Sequence, residues 1–160
     1  MKIKKLICVT VIFALIIAVM PSTMANETMY IGDVLYSDIT AYINGHAIPT
    51  SVIDGKTLIV VEDLANYGFN VGWDGAAKTL SVARISGKEF NPLPVTADAA
   101  RPGTFKTHYV YTDIKTFLSG TRVNSYALDG VTLIDFDDLG RYGSFTWDGA
   151  ARAIKLELYD

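Results

Sequence analysis

The pentapeptide Trp-Asp-Gly-Ala-Ala occurs twice in this chain of 160 residues, at residues 73–77 and again at residues 147–151. Each copy lies near the end of a longer repeated sequence. The two repeats start at Val34 and at Tyr109 and align along their length. The matched positions lie 75 residues apart and include Asp38 with Asp113, Asp54-Gly55 with Asp129-Gly130, and Tyr67-Gly68 with Tyr142-Gly143; the offset falls to 74 at Trp73 and Trp147. Because chance does not produce so long a match, the chain is an internal duplication.

Each repeat predicts the element order β-β-β-α-β-β, and therefore an α+β fold of two repeats, each a small antiparallel sheet packed on one short helix. Apolar and polar residues alternate from Ile39 to Ile43, which is typical of a half-buried strand. Asn44-Gly45 predicts a two-residue hairpin turn that leads into a return strand over 47–52. A β-branched strand over 57–61 precedes a helix of about two turns over 62–68, which packing must stabilise. The strand 69–73, the Trp-Asp-Gly-Ala-Ala turn and a last strand complete the repeat.

The repeats are separated by a segment rich in proline. We assign residues 26–83 to the first repeat, 84–106 to a connector and 107–160 to the second repeat. The connector contains Pro92, Pro94 and Pro102, so we expect it to be extended or irregular, with part of it along a sheet edge. A repeat of roughly 50 residues is marginally stable alone. We therefore expect the repeats to pack together, or the protein to form a homodimer.

The first 25 residues have the pattern of a secretory signal peptide. A basic stretch over residues 1–5 precedes an apolar run over 6–20, and small residues follow at Thr23 and Ala25. The run is shorter than the ~18 residues of a membrane-spanning helix. We expect cleavage after Ala25 and a secreted or cell-surface protein; the alternative is an uncleaved membrane anchor.

The mature chain is acidic and has no cysteine. Removing residues 1–25 takes away Lys2, Lys4, Lys5 and Cys8, which leaves 11 basic against 17 acidic residues and a net charge of −6. Nucleic acids and anionic membranes are bound through basic surfaces, so neither is an expected partner. Disulfides, thiolate metal sites and cysteine nucleophiles are excluded from the mature chain as well.

The order of the motifs resembles the N-terminal domain of copper amine oxidases, as it recurs in secreted Gram-positive bacterial proteins. The residues that carry the resemblance are Ile43-Asn44-Gly45, Gly55–Val60, the helix ending at Gly68, Val71–Asp74 and Thr79–Val82 in the first repeat, and Gly130–Ile134, the helix ending at Gly143 and Thr146–Asp148 in the second. The resemblance implies a stalk-like domain of five antiparallel strands around a helix, standing apart from the oxidase's catalytic domain. It implies no activity for this chain.

No pattern in the sequence predicts a catalytic, cofactor or metal site, so we expect a protein that is not an enzyme. His46 and His108 are expected to face solvent, because neither has further ligands at metal-binding spacing. The carboxylates Asp135, Asp137 and Asp138 are spaced like the start of a calcium loop but lack its later ligands, so the beginning of a helix explains them better.

The aromatic side chains are the remaining candidates for ligand contact. Trp73 and Trp147 are expected to pack over the helices, with sugar stacking as the alternative. For Tyr42 and Tyr126 a ligand-facing role and a structural role are about equally supported, and Tyr36 and Tyr111 are further candidates. The sequence thus favours a structural or protein-interaction module of the bacterial envelope, with a glycan-binding module as the alternative and no cofactor in either case.

Overall fold

The computed structural model describes residues 30–96 and 100–160. The predicted signal peptide, residues 1–25, lies outside the described residues. Strands account for 52% of the described residues and helices for 9%. The first repeat contains β1 (Tyr30–Leu35), β2 (Thr40–Ile43), β3 (His46–Ile48), β4 (Thr50–Ile53), β5 (Lys56–Val60), the 3₁₀ helix η1 (Glu62–Asn66), β6 (Phe69–Asp74) and β7 (Thr79–Arg84). The second contains β8 (Phe105–Val110), β9 (Lys115–Leu118), β10 (Thr121–Val123), β11 (Tyr126–Leu128), β12 (Val131–Asp135), the 3₁₀ helix η2 (Phe136–Arg141), β13 (Gly143–Asp148) and β14 (Ala153–Leu158).

Every sheet contains strands from both repeats. A closed barrel has the order β1-β4-β5-β12-β11-β8, and two four-stranded sheets have the orders β10-β9-β7-β6 and β13-β14-β2-β3. The closing hairpin β6–β7 of the first repeat is therefore joined to β9 of the second, and the closing hairpin β13–β14 of the second repeat to β2 of the first. Both of these junctions are parallel pairings, β7 with β9 and β14 with β2. The repeats exchange their closing hairpins.

The predicted α+β fold is wrong, because each expected helix is only one short 3₁₀ segment. In η1 the amide of Leu64 donates to the carbonyl of Val61, and the amide of Tyr67 donates to the carbonyl of Leu64. Both hydrogen bonds join residues three apart, as in a 3₁₀ helix. The helix cannot continue through Gly68, because its φ of 85° is left-handed. A five-residue segment is too short to bury a helical face, so the molecule is a mainly β protein.

The single return strand predicted over 47–52 is divided in two. Pro49 stands between β3 and β4 and has no amide hydrogen to donate to a ladder. β3 pairs with β2 in a four-stranded sheet, whereas β4 pairs with β1 and β5 in the barrel. The chain thus changes sheets at the proline, which one continuous strand would not allow.

The predicted two-residue turns are confirmed. Positive φ values occur at both residues of the pairs Asn44-Gly45, Asp54-Gly55, Ser119-Gly120 and Asp129-Gly130. This geometry matches the twist of antiparallel strands and requires residues that tolerate φ > 0. The local hairpins are therefore encoded by the turn residues themselves.

The apolar side chains form two clusters, and both repeats contribute to each. The larger one packs between the four-stranded sheets and the 3₁₀ helices and includes Ile43, Leu64, Tyr67 and Phe69 with Leu118, Phe136, Leu139 and Leu156. The smaller one fills the barrel with Val34, Ile53, Leu58, Tyr109, Leu128 and Leu133. The expectation that the repeats pack together is confirmed, since neither repeat has a core of its own.

The residue after each Trp-Asp-Gly-Ala-Ala turn joins the two repeats. Lys78 and Arg152 have φ values of 50° and 52°. The carbonyl of Lys78 accepts from the amide of Lys115 at 2.9 Å, and that of Arg152 accepts from the amide of Thr40 at 3.0 Å. These bonds start the parallel ladders.

The side chains of the same two residues form ion pairs across the repeats. The Lys78 ammonium pairs with Asp113, and the Arg152 guanidinium binds both carboxylate oxygens of Asp38 at 2.8 and 3.2 Å. The hydrogen bond from Arg152 holds the pKa of Asp38 below its usual range, and Lys78 acts likewise on the pKa of Asp113. We call each ion pair with its backbone bond a clasp.

Fragments that separate the repeats should not fold. We expect residues 26–86 and 104–160, expressed alone, to lack a cooperative urea transition by circular dichroism, because each loses the sheet partners of its closing hairpin. An equimolar mixture of the two should recover a transition. A fragment that unfolds alone at the midpoint of the full chain would contradict the exchanged arrangement.

Replacing Arg152 with Ala should raise the pKa of Asp38, followed by carboxyl NMR, towards its ordinary value. A carboxyl with a lowered folded pKa contributes stability above its unfolded pKa of ~3.9, and the contribution is lost as the pH falls through the folded pKa. The stability difference between wild type and Arg152→Ala should therefore be small but present at pH 7, since the pair is exposed, and should shrink below about pH 4. Arg152→Lys is the matched control, because Lys78 already fills this role in the other clasp; an equal rise in both variants would show that the charge pair does not set the pKa.

Candidate functional site

The tryptophans of the two closing hairpins are exposed, so the prediction that they pack over the helices as core is wrong. Trp73 is 55% exposed and Trp147 51% exposed. Each occupies the last strand position but one before its turn, opposite Leu80 and Ile154 respectively, on the edge strand of its sheet. The Arg152 guanidinium lies 5.9 Å from the Trp147 ring centroid, which links this indole to its clasp.

Tyr42 and Tyr126, for which the sequence supports a ligand-facing and a structural role about equally, lie on different surfaces. Tyr42 is half-buried on β2, on the face opposite the buried Ala41 and Ile43. Tyr126 is half-buried at the start of β11, and its ring meets that of Tyr109 edge-on, with 5.4 Å between centroids. The structure therefore does not bring the four predicted aromatics into one site.

Tyr126 instead lines a groove of about 520 Å³ in the second repeat, which we call the aromatic groove. Its walls come from β1, from the turn between β8 and β9, and from the link between β10 and β11. Its exposed large apolar wall residues are Tyr111, at 68%, and Ile31, at 48%. The described residues that line it are Ile31, Tyr111, Thr112, Ile114, Arg122, Val123, Asn124, Ser125 and Tyr126.

Short hydrogen bonds fix the backbone around the aromatic groove. The Thr112 hydroxyl oxygen accepts from the amide of Ile114 at 3.1 Å. The Ser125 hydroxyl donates to Oγ1 of Thr116, a fully buried side chain, at 2.8 Å. The groove is therefore held in shape by the turn and the strand that form it.

The lining provides ring faces, aliphatic side chains and hydrogen-bonding groups. Arg122 is its one charged residue, and within the described part of the chain no carboxylate forms an ion pair with it. The lining contains neither a carboxylate nor an imidazole. Such a surface is suited to non-covalent binding, and it lacks the pair of groups that general acid–base chemistry uses.

Of the three carboxylates around the start of η2, Asp135 forms an ion pair. The Lys56 ammonium lies 2.6 Å from the Asp135 carboxylate. Burial, and then the nearby Asp135 charge, raises the pKa of Asp138. Among residues 30–96 and 100–160, no three His, Cys, Asp or Glu side chains are grouped as metal ligands. His46 and His108 are exposed, as the sequence predicts.

Sequence reasoning named Tyr111 among the aromatics but missed Ile31 and Arg122. Ile31 reaches the groove because β1 pairs with β8, so that Tyr30 lies opposite Val110. Arg122 reaches it from β10, the edge of a sheet shared between the repeats. No local sequence pattern predicts that Ile31 and Arg122 reach the groove. The available signal was the set of aligned positions at which the two repeats have different residues.

No helix in residues 30–96 and 100–160 has the length and apolar character needed to cross a bilayer. No protein-family model matches this chain, and no curated protein or solved structure is similar to it.

Proposed function

We propose that this chain is a secreted, non-catalytic interaction module of the bacterial cell envelope that binds another envelope protein through the aromatic groove. The groove's exposed apolar rim, formed by Tyr111 and Ile31, carries the proposal. Exposed apolar surface beside a formed groove is typical of protein-interaction sites, and tyrosine and arginine are enriched at the energetic centres of such interfaces. The order of basic, apolar and small residues over 1–25 supports secretion.

Tyr111→Ala should weaken capture by a washed envelope fraction of the producing bacterium. Removing a central aromatic from an interface costs about 1–2 kcal/mol, which corresponds to a roughly 5- to 30-fold loss of affinity. Tyr159→Ala is the matched control, since Tyr159 is 61% exposed and lies outside the groove lining. The bound fraction is measured by co-sedimentation over a concentration series, and equal binding of the two variants would contradict the assignment.

A glycan-binding function remains the second candidate, because both tryptophans are exposed. Indole faces stack on sugar rings, and Trp73 and Trp147 occupy equivalent positions in the two repeats. Under this hypothesis the glycan binds to the closing hairpins and not to the aromatic groove.

The two tryptophans permit a direct test of the glycan hypothesis. They are the only tryptophans in the chain, so Trp73→Phe and Trp147→Phe each leave a single fluorescent indole. Stacking on soluble peptidoglycan fragments should shift the emission of both variants to shorter wavelength, since the rings lose water. Unchanged emission at saturating glycan would argue against this candidate, and Tyr111→Ala should leave the shift intact.

A further inference from the structure

The aromatic groove has a counterpart in the first repeat, which we call the connector groove, of about 370 Å³. Six pairs of lining residues lie at the repeat offset of 75. They are Ile31 with Lys106, Ser37 with Thr112, Ile39 with Ile114, Pro49 with Asn124, Thr50 with Ser125, and Ser51 with Tyr126. In the first pair, Ile31 comes from β1 and lines the groove of the second repeat, whereas Lys106 comes from β8 and lines the groove of the first repeat. The two grooves are therefore the same surface of the fold, formed twice.

The connector groove has the chain's own connector as one wall. Pro94, Val95 and Thr96 line it. This segment contains no strand or helix over residues 85–96. The structure thus shows an irregular, proline-containing segment that forms one side of this surface, with Pro94, Val95 and Thr96 themselves exposed.

The segment is fixed just before it reaches the groove. The amide of Asn91 donates to the carbonyl of Asn66 at 2.9 Å, and the amide of Leu93 donates to the Tyr67 hydroxyl at 3.1 Å. Phe90 meets the Tyr67 ring edge-on, with 6.2 Å between centroids. These contacts hold the connector on its own repeat.

None of the described connector residues lines the aromatic groove, and its walls are more aromatic. Tyr126 stands where the connector groove has Ser51, and Tyr111 lines this groove whereas the related Tyr36 does not line the other. Grooves lined by aromatic rings bind extended proline-containing peptides, because proline ring faces pack on the aromatics and the peptide loses little entropy on binding.

We propose that the aromatic groove binds an extended, proline-containing apolar segment of a partner protein, which lies along it as Pro94–Thr96 lies along the connector groove. This proposal rests on the proposed function and names its partner class. The occupant is assigned to a partner protein and not to a second copy of this chain, because a second copy would have to release its connector from Asn66 and Tyr67.

The connector itself supplies the probe. A fluorescent peptide of residues 88–96, Lys-Glu-Phe-Asn-Pro-Leu-Pro-Val-Thr, is titrated with the full-length protein and followed by fluorescence anisotropy. We expect saturable binding that Tyr111→Ala weakens at least fivefold and Tyr159→Ala leaves unchanged. A peptide with Pro92→Ala and Pro94→Ala should bind at least threefold more weakly, because the free peptide is then less extended.

The site is located by amide chemical-shift changes on adding the peptide. Shifts at residues 112–114 and 123–126 are expected. Shifts confined to 37–40 and 49–51 would show that the peptide displaces the connector, and they would overturn the proposal. So would equal binding by wild type and Tyr111→Ala, or insensitivity to the two prolines.

Two further outcomes separate the possible failures. A dimer in light scattering that Tyr111→Ala dissociates would assign the groove to a second copy and overturn the partner assignment. If envelope capture depends on Tyr111 but the peptide does not bind, the assignment of a proline-containing segment to the groove is overturned and the proposed function still stands. Peptide binding without Tyr111-dependent envelope capture would instead count against the proposed function.

Discussion

The structure depends on the parallel pairing of each closing hairpin with the second strand of the other repeat. Lys78 and Arg152 start these ladders with their carbonyls, and at the same end their side chains bind Asp113 and Asp38. Because each hairpin completes a sheet of the other repeat, the two halves cannot form their cores separately. The ion pairs are exposed and contribute little energy, so their value lies in fixing register, while the shared apolar cluster between the sheets supplies the stability.

The repeated Trp-Asp-Gly-Ala-Ala is explained by this pairing. Asp74 Oδ1 accepts from the amides of Ala76 and Ala77, and Asp148 Oδ1 accepts from that of Ala151, so the aspartate holds the turn. The residue after the turn, Lys78 or Arg152, has a left-handed conformation and bonds to the neighbouring repeat. The tryptophan of each copy is exposed on the edge strand of its sheet. The motif therefore serves assembly, while the exposed indole is available for contact with a ligand.

Local structure could be predicted from the sequence, and the exchange of hairpins could not. Asn44-Gly45 and Asp54-Gly55 specify their turns through φ > 0, which depends on those residues alone. A closing hairpin could pair with the second strand of its own repeat or with that of the other repeat. The outcome depends on loop lengths and on the parallel ladder, whereas the side chains of the two similar repeats are nearly the same. The prediction of α-helices was wrong for a related reason, since the five residues Glu62–Asn66 satisfy an α-helical pattern and a 3₁₀ turn equally well. In the aromatic groove, Tyr126 was predictable as a single residue, whereas its meeting with Ile31 required the pairing of β1 with β8.

The differences between the repeats indicate where the fold leaves side chains free to change. The turns and the clasps are alike in both copies, because the exchanged arrangement requires them twice. The groove positions are not required by either core, and they differ: Ser51 against Tyr126, and Pro49 against Asn124. In one copy of this surface the chain's own connector forms a wall. In the other copy no described connector residue lines the surface and its walls are more aromatic, so the duplication places a proline-containing segment beside one copy and leaves a related, more aromatic groove in the other.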